Sequence, residues 1–329
     1  MKKIIIFLIF FFIVFFISGE KLAEFDNVYK PGRFQVSGDG LYIVDGYQIK
    51  LFSMKNFKLI TRFGKKGEGP GEFKFAPKVL LVFPDQAFVS CWGKVALFTR
   101  KGKLIKEKKS PNFTDMYKVK ENYLGRIFKY DRKNDTSEFS MLLFDKDLNK
   151  QKVLSTYIQR REEWTGYQKG MSKKMNINMF KDYFDLVTDG EFIFIGDTKK
   201  GFFIDIFDSK GERVNTIKNG YEKLKTSKEN IEEYWKRSKR PRDEKRANYI
   251  YPEYYPAYKK LFVNNKKIYA ITYKFKRDKQ ELLILDMKGK ILKQTYIPEK
   301  RYYNFFNNKY YYFVDNEAEE VMEFHAVDL

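Results

Sequence analysis

Histidine and cysteine are nearly absent from this 329-residue sequence, which contains one of each, His325 and Cys91. A single cysteine permits no internal disulfide, and its place in the apolar run AFVSCW predicts a small buried side chain rather than a nucleophile. Zinc sites of the usual nitrogen and sulfur ligands need several such residues, so the composition nearly excludes them. A Ser-His-Asp triad would have to use His325, which lies in an alternating terminal segment and is expected to be structural. We therefore predict no catalytic residue and no bound metal.

The common nucleotide and calcium motifs are missing as well. Residues 62–73 read RFGKKGEGPGEF, a glycine-rich run that lacks the Gly-Lys-Ser/Thr of a Walker loop and leads into an apolar strand. No EF-hand spacing occurs in the chain. An oxygen-only Ca²⁺ site stays open, because carboxylates and carbonyl groups suffice as its ligands. We predict no cofactor, with Ca²⁺ as the alternative.

Long apolar runs are confined to the first residues, where Lys2 and Lys3 precede an unbroken run from Ile4 to Ile17. Ser18 and Gly19 follow, so the segment has the basic, apolar and small-residue parts of a secretory signal. The run is shorter than the roughly twenty apolar residues that a membrane-spanning helix needs. We predict a signal peptide over residues 1–19, cleaved near Gly19, and an exported periplasmic or extracellular protein. An uncleaved N-terminal membrane anchor is the alternative.

Basic residues outnumber acidic ones, since 64 lysines and arginines against 43 aspartates and glutamates give a formal charge of +21. Loss of Lys2 and Lys3 with a signal peptide would lower this charge by two, to +19. Acidic residues are interleaved through most of the chain, so one interpretation is lysine-rich solvated faces. The other is an anionic partner. Because export removes the usual nucleic acids, we predict a protein or anionic glycan partner, peripheral contact with anionic surfaces and no nucleic acid.

One pattern of four apolar, alternating segments recurs six times along the chain. The apolar residue before the last turn of each unit marks the repeat: Phe52, Phe98, Phe144, Phe207, Leu285 and Phe324. The first two intervals are both 46 residues. Period-two alternation predicts strands, and the turns RKGK, SKGE and MKGK supply glycine where a tight hairpin needs positive φ. Four-stranded units of this period predict an all-β fold, a six-bladed β-propeller of antiparallel blades.

The sixth unit ends after its third strand, and the N-terminal segment KLAEFDNVYK can supply the fourth. Closing the ring in this way would remove an exposed sheet edge. The sequence thus predicts a single propeller domain over residues 20–329, with helical or irregular insertions at about 158–182 and 219–257. The glycine-rich run becomes the connection between the first two blades, with Phe63 and Phe73 fixing its ends.

The segment RFGKKGEGPGEFKFAPKVLLV resembles the NHL-type repeat, in which Phe-Gly, a glycine-rich turn, Gly-x-Phe and a proline lead into the next strand. The wider pattern, including YYPAYKKLFVNNKKIYAIT, resembles exported bacterial six-bladed β-propeller proteins. The sharp motif occurs once, and the other five connections lack its glycines. The resemblance implies a fold shared by binding proteins and by some hydrolases and lyases, so it leaves function open.

Strand order in a propeller places both insertions, the glycine-rich run and the second-to-third turns on one face. The second insertion predicts a helix with Ser227 as N-cap, followed by seven basic residues against two acidic from Lys236 to Arg246, and then five tyrosines. Such residues suit anionic or carbohydrate ligands, although the tyrosines could simply pack. Trp92 beside Gly93 is a candidate stacking platform, or is buried against the next blade. The candidate ligand-binding residues are Trp92, Lys94, Trp164, Lys236, Arg237, Lys239, Arg240, Arg242, Tyr251 and Tyr254.

Aspartates recur at the ends of second strands and are expected to make local turn hydrogen bonds rather than bind ligands. They are Asp45, Asp131, Asp197 and Asp315. The functional hypothesis is a binding protein without catalysis, which uses the insertion-bearing face for a protein or glycan partner. The alternative is a propeller hydrolase or lyase with an oxygen-ligated Ca²⁺ in the channel, for which Asp115 and Asp185 are the candidate ligands.

Overall fold

The computed structural model describes residues 19–29, 31–109, 113–160, 175–238, 247–300 and 302–329. Strand β1 (Glu20–Phe25) precedes the repeated units. Blade 1 consists of β2 (Pro31–Ser37), β3 (Gly40–Asp45), β4 (Gln48–Ser53) and β5 (Leu59–Phe63). Blade 2 consists of β6 (Val79–Val82), β7 (Gln86–Cys91), β8 (Lys94–Thr99) and β9 (Leu104–Lys109). Blade 3 consists of β10 (Phe113–Val119), β11 (Asn122–Asp131), β12 (Thr136–Phe144) and β13 (Lys150–Arg160).

The later blades carry the additional elements. After β14 (Met175–Asn178), blade 4 consists of β15 (Phe184–Thr188), β16 (Ile193–Asp197), β17 (Phe202–Phe207) and β18 (Arg213–Asn219), with a 3₁₀ turn at Thr198–Lys200. Helix α1 (Lys228–Ser238) and β19 (Ala247–Ile250) follow. Blade 5 consists of β20 (Lys260–Asn264), β21 (Lys267–Lys276), β22 (Lys279–Leu285) and β23 (Ile291–Pro298). Blade 6 consists of β24 (Tyr303–Phe306), β25 (Lys309–Asn316), β26 (Val321–Asp328) and β1.

The first strands of the six blades form a closed inner ring. Strand β2 contacts β6 and β24, and the remaining contacts run from β6 to β10, β15, β20 and β24 in turn. Each blade is antiparallel and keeps its strands in chain order outward from this ring, with β1 added at the end. The predicted six-bladed propeller is therefore confirmed, and the first strands surround the central channel.

Strand β1 closes the last blade, as predicted. It pairs antiparallel with β26, from Glu20 opposite Ala326 to Phe25 opposite Met322. The Phe25 ring lies 4.6 Å from that of Phe52 in blade 1. Backbone hydrogen bonds thus hold β1 in the sixth blade, and the packing of Phe25 joins that blade to the first.

The central strands of each blade are apolar on both faces because each face packs against a neighbouring blade. Five of the six residues of β3 and four of the six residues of β8 are buried, whereas the outermost strand β9 is exposed along most of its length. The glycine-rich connection belongs to the core between blades 1 and 2, where Phe63 and Phe73 share a cluster with Phe98. Gly64 adopts φ +77°, and a side chain there would meet the Phe73 ring. The predicted role of this segment as a blade connection is confirmed.

The third-to-fourth turns repeat one design. Asp145, Asp208 and Asp286 each accept backbone N–H bonds from residues two and four positions later. The predicted turn glycines have positive φ, at +86° for Gly102, +77° for Gly211 and +87° for Gly289. These turns define the hairpin face of the propeller.

The two insertions join each other. Strand β14 of the first insertion pairs in parallel with β19 of the second, from Met175 opposite Ala247 to Asn178 opposite Ile250. The sequence did not predict this small sheet, and it placed the first insertion from about 158, whereas β13 continues to Arg160. The predicted helix is present, since the Ser227 hydroxyl accepts the backbone N–H of Asn230 at 3.2 Å. Within the described residues, no helix has the length and apolar character to cross a membrane.

Because the strands alternate in direction, second-to-third turns and blade connections emerge opposite the hairpin face. We call this side the insertion face. Its described parts are the turns at 46–47, 92–93, 132–135, 198–201, 277–278 and 317–320, and the connections at 26–29, 64–78, 179–183, 220–238, 251–259 and 299–300.

Candidate functional site

Exposed aromatic side chains concentrate on the insertion face. Among the described residues, the aromatic side chains classed as exposed are Tyr29, Phe75, Trp92, Tyr130 and Tyr254. All five lie in blade connections, in the second insertion or at second-to-third turns. The other exposed large apolar residues are aliphatic, and all but Ile250 lie on outermost strands: Leu59, Ile60, Ile105, Val153, Ile158, Val214, Ile291 and Leu292. The propeller thus presents aromatic groups on one face and aliphatic groups around its rim.

Trp92 lines a cleft of about 540 Å³ between the glycine-rich connection and blade 2. Its side chain is 52% exposed, so the predicted open flank is present and the alternative of burial is wrong. Gly93 has φ +76°, and a side chain there would meet no atom within 4 Å. The Lys78 ammonium lies 5.1 Å from the centre of the indole ring, a cation–π distance. The cleft combines an aromatic wall with open space and positive charge.

Lys94, the second predicted residue of this cleft, holds the cleft wall in place. Its ammonium lies 2.8 Å from the Glu107 carboxylate and donates to the Gly69 carbonyl at 3.0 Å. Glu107 in turn accepts the Gly71 N–H at 2.9 Å. Although burial opposes it, the Lys94 ammonium lowers the pKa of Glu107. Lys94 therefore fastens the glycine-rich connection to β9.

The basic end of helix α1 divides into a solvated and a packed part. Lys236 is exposed. Arg237 lies over the Phe275 ring at 4.4 Å and pairs with Glu233 at 2.5 Å, and its guanidinium also donates to the Arg277 carbonyl. Arg237 is therefore an anchor between the helix and blade 5. The predicted residues Trp164, Lys239, Arg240 and Arg242 lie outside the described residues.

Most tyrosines of the second insertion pack rather than face solvent. The Tyr251 hydroxyl accepts the Trp235 indole N–H at 2.7 Å. The Phe180 ring of the first insertion lies 4.2 Å from that of Tyr255 and 4.7 Å from that of Tyr234. Burial, helped by the neighbouring tyrosines, raises the pKa of Tyr255. Tyr254 remains 44% exposed, so of the two predicted tyrosines it is the one available to a ligand. Sequence reasoning missed Phe180, because its partners lie in a distant insertion.

The two carboxylates of the channel, near its end at the insertion face, both form salt bridges. Asp115 pairs with the Arg126 guanidinium and lies 3.4 Å from that of Arg33. Asp185 is buried, pairs with the Lys260 ammonium and accepts the Leu261 N–H at 2.7 Å. Although burial opposes it, Asp185 raises the pKa of Lys260. Side chains of the protein thus supply the positive charge that the alternative hypothesis assigned to Ca²⁺.

The other polar candidates behave as structural groups. Among the described residues, one group of three acidic side chains converges, Glu24, Glu319 and Glu323, in blade 6 outside the channel. His325 bonds to Glu323 at 2.9 Å and stacks on Tyr312. Cys91 is buried, as predicted, and burial raises the pKa of its thiol. None of these groups has a nucleophile and a base in contact.

Two of the recurring aspartates make the predicted turn bonds. Asp131 accepts the Lys133 N–H at 2.9 Å, and Asp197 accepts the Lys199 N–H at 3.1 Å. Asp45 differs, because it pairs with the Lys50 ammonium at 2.6 Å. This ammonium also lies 5.6 Å from the Tyr29 ring, next to the start of blade 1.

No family model matches the chain, and no curated protein matches it. Solved structures similar to it include the following two, both at low sequence identity. The WD40 domain of Neurospora crassa Pan2 gives a TM-score of 0.43 at 9% identity, over 90% of this chain and 74% of that chain. BBS1N in complex with ARL6DN, in a crystal soaked with mercury, gives a TM-score of 0.41 at 8% identity, over 94% and 96% respectively. Such similarity concerns the fold and assigns no ligand.

Proposed function

We propose that the protein is an exported, non-catalytic β-propeller that binds a protein or glycan partner on its insertion face. The observation that carries this proposal is the segregation of exposed side chains. Among the described residues, five exposed aromatic residues lie on that face, and the exposed large apolar residues of the outermost strands are all aliphatic. Aromatic residues are enriched where proteins bind partners, whereas scattered aliphatic residues are ordinary on any surface. Export rests on the predicted signal peptide.

The rest of the molecule supports binding rather than chemistry. The insertions and connections of this face are positioned by a rigid ring of blades, the arrangement in which loops carry recognition. The channel carboxylates Asp115 and Asp185 already have cationic partners in Arg126 and Lys260. The formal charge of +21 favours an anionic partner.

Partner capture with two matched variants tests the proposal. The face variant replaces Tyr29, Phe75, Trp92, Tyr130 and Tyr254 by serine. The rim variant replaces the same number of exposed aliphatic residues by serine: Ile60, Ile105, Val153, Val214 and Leu292. Immobilised wild-type protein is incubated with surface proteins and glycans of the producing cells, and bound material is quantified. The face variant should lose captured partner by about tenfold or more, because aromatic anchors dominate binding energy.

The rim variant should capture partner like the wild type. Circular dichroism and thermal unfolding establish that both variants keep the fold. Equal capture by all three proteins, or equal loss from the two variants, would contradict the assignment of binding to the insertion face.

A further inference from the structure

We propose that the Trp92 cleft is a subsite for an acidic sugar, the ring of a uronic-acid residue within a longer glycan. This inference rests on the proposed function, because it names the partner class for one site on the insertion face. The cleft brings together the exposed indole of Trp92, glycines that add no side chain, and the positive charge of lysine side chains. Each of these features meets a different part of such a sugar.

The shape of the cleft fits a saccharide ring. One face of a pyranose ring carries C–H groups, which pack against an aromatic ring as apolar surface. Trp92 offers a 52% exposed indole for this contact. Gly67 and Gly93 line the same cleft and add no side chain, so a flat ring can approach. The volume of about 540 Å³ lies within the roughly 300–1,000 Å³ of typical small-molecule sites.

The charges of the cleft fit a sugar carboxylate. Four lysines and three glutamates line it, and the Lys78 ammonium lies 5.1 Å from the Trp92 ring centre. Lys109 is exposed and forms no ion pair with the described residues. The Lys74–Glu68 pair, at 2.7 Å, is 63% and 72% exposed, so water screens it and an incoming carboxylate can compete for Lys74. The glutamates can accept hydrogen bonds from sugar hydroxyl groups.

The cleft wall is fixed before any ligand arrives. Lys94 and Glu107 bond to the glycine-rich connection at Gly69 and Gly71, and Phe73 at its end is fully buried. A ligand therefore does not have to order this segment, which lowers the entropic cost of binding. The same bonds leave Trp92 and Lys109 exposed at the opening.

Three probes test the proposal against the purified mature chain. They are a short oligomer of galacturonic acid, a galactose oligomer of the same length, and polyglutamate. Isothermal titration calorimetry should show the tightest binding for the galacturonic acid oligomer, accompanied by a change in tryptophan fluorescence. Trp92→Ala should weaken this binding by about tenfold or more, and Trp92→Phe should restore part of it. The double variant Lys78→Gln/Lys109→Gln should weaken binding of the acidic oligomer and leave the galactose oligomer unaffected.

Ile105→Ser is the matched control, because Ile105 on the rim is also 52% exposed; it should bind like the wild type. Equally tight polyglutamate binding that the same variants abolish would replace the sugar with an acidic peptide. Unchanged affinity in Trp92→Ala would place any sugar site elsewhere. If no probe binds while partner capture still depends on the exposed aromatic residues of the insertion face, the sugar proposal fails and the proposed function stands. If no probe binds and partner capture does not depend on those residues, both proposals fail.

Discussion

At the scale of single residues, the Asp185–Lys260 pair decides how the channel can be used. Asp185 is 2% exposed, and the side chain of Lys260, on a first strand beside the channel, is 29% exposed. Lys260→Met removes the cation and leaves a buried carboxylate, so it should lower the free energy of unfolding. We expect a loss of about 2–3 kcal/mol, somewhat less than for a fully buried pair. Urea denaturation followed by circular dichroism measures it.

Adding Asp185→Asn to Lys260→Met should recover more than half of that loss, because the two groups act as a pair. Wild-type stability should not change with added Ca²⁺ or with a chelator. A Ca²⁺-dependent rise in the unfolding midpoint that Asp185→Asn abolishes would restore the calcium-enzyme alternative.

Individual residues were predictable where local chemistry sets their environment. Trp92, at a strand end beside Gly93, is exposed as predicted, and aspartates such as Asp131 made their local turn bonds. Arg237 was not predictable, because its partner Phe275 lies in another blade and no local pattern signals that contact. Its charge alone predicts a ligand-binding residue, whereas in the folded protein its contacts anchor helix α1 to blade 5.

At the scale of elements, β1 pairs with one neighbouring strand and buries Phe25 in the core between blades 6 and 1. Phe25 is 3% exposed, and its ring lies 4.6 Å from that of Phe52 and 6.1 Å from that of Phe313. Phe25→Ala should cost about 3–4 kcal/mol through lost burial and the cavity left behind. It should also speed proteolysis near the N-terminus, because β1 detaches more often. Denaturant unfolding and limited proteolysis with peptide mapping provide the measurements.

Ile105→Ala is the control for this change, since Ile105 also lies on an outermost strand but is 52% exposed. It should change stability by less than about 0.5 kcal/mol. Equal effects of the two substitutions would mean that β1 does not hold the ring closed.

The blades were predictable as elements because period-two alternation and turn glycines are local signals. The β14–β19 pair was not, because its strands have four residues each and come from separate insertions. Parallel pairing across such a distance has no turn to set its register, and short strands carry little pattern. The same limit applies to the candidate site, where composition suggested the basic insertion but contacts within the fold decide which side chains stay exposed.

At the scale of the whole molecule, tyrosines whose pKa is raised by burial predict a loss of stability in alkali. Burial raises the pKa of Tyr117 to about 12 and that of Tyr303 to about 12, from the ordinary value near 10. Burial also raises the pKa of Tyr183 and Tyr273. In the unfolded chain these hydroxyls ionise near pH 10, so the folded state then holds more protons than the unfolded state. The contribution of these tyrosines to the free energy of unfolding is complete below about pH 10 and falls as the pH rises towards 12.

The free energy of unfolding should therefore fall by about 1.4 kcal/mol per pH unit for each such tyrosine between about pH 10 and 12. The raised pKa of Lys260 also makes the free energy of unfolding fall as the pH rises. Tyrosinate absorbance and far-ultraviolet circular dichroism, followed together, should show the buried tyrosines ionising as the strands unfold. Tyr117→Phe should reduce by one the difference in bound protons between the folded and unfolded states, because phenylalanine has no hydroxyl to lose. The free energy of unfolding should then fall less steeply with pH. If all tyrosines ionised near pH 10 while the circular dichroism stayed native, the channel would be more open to water than the structure indicates.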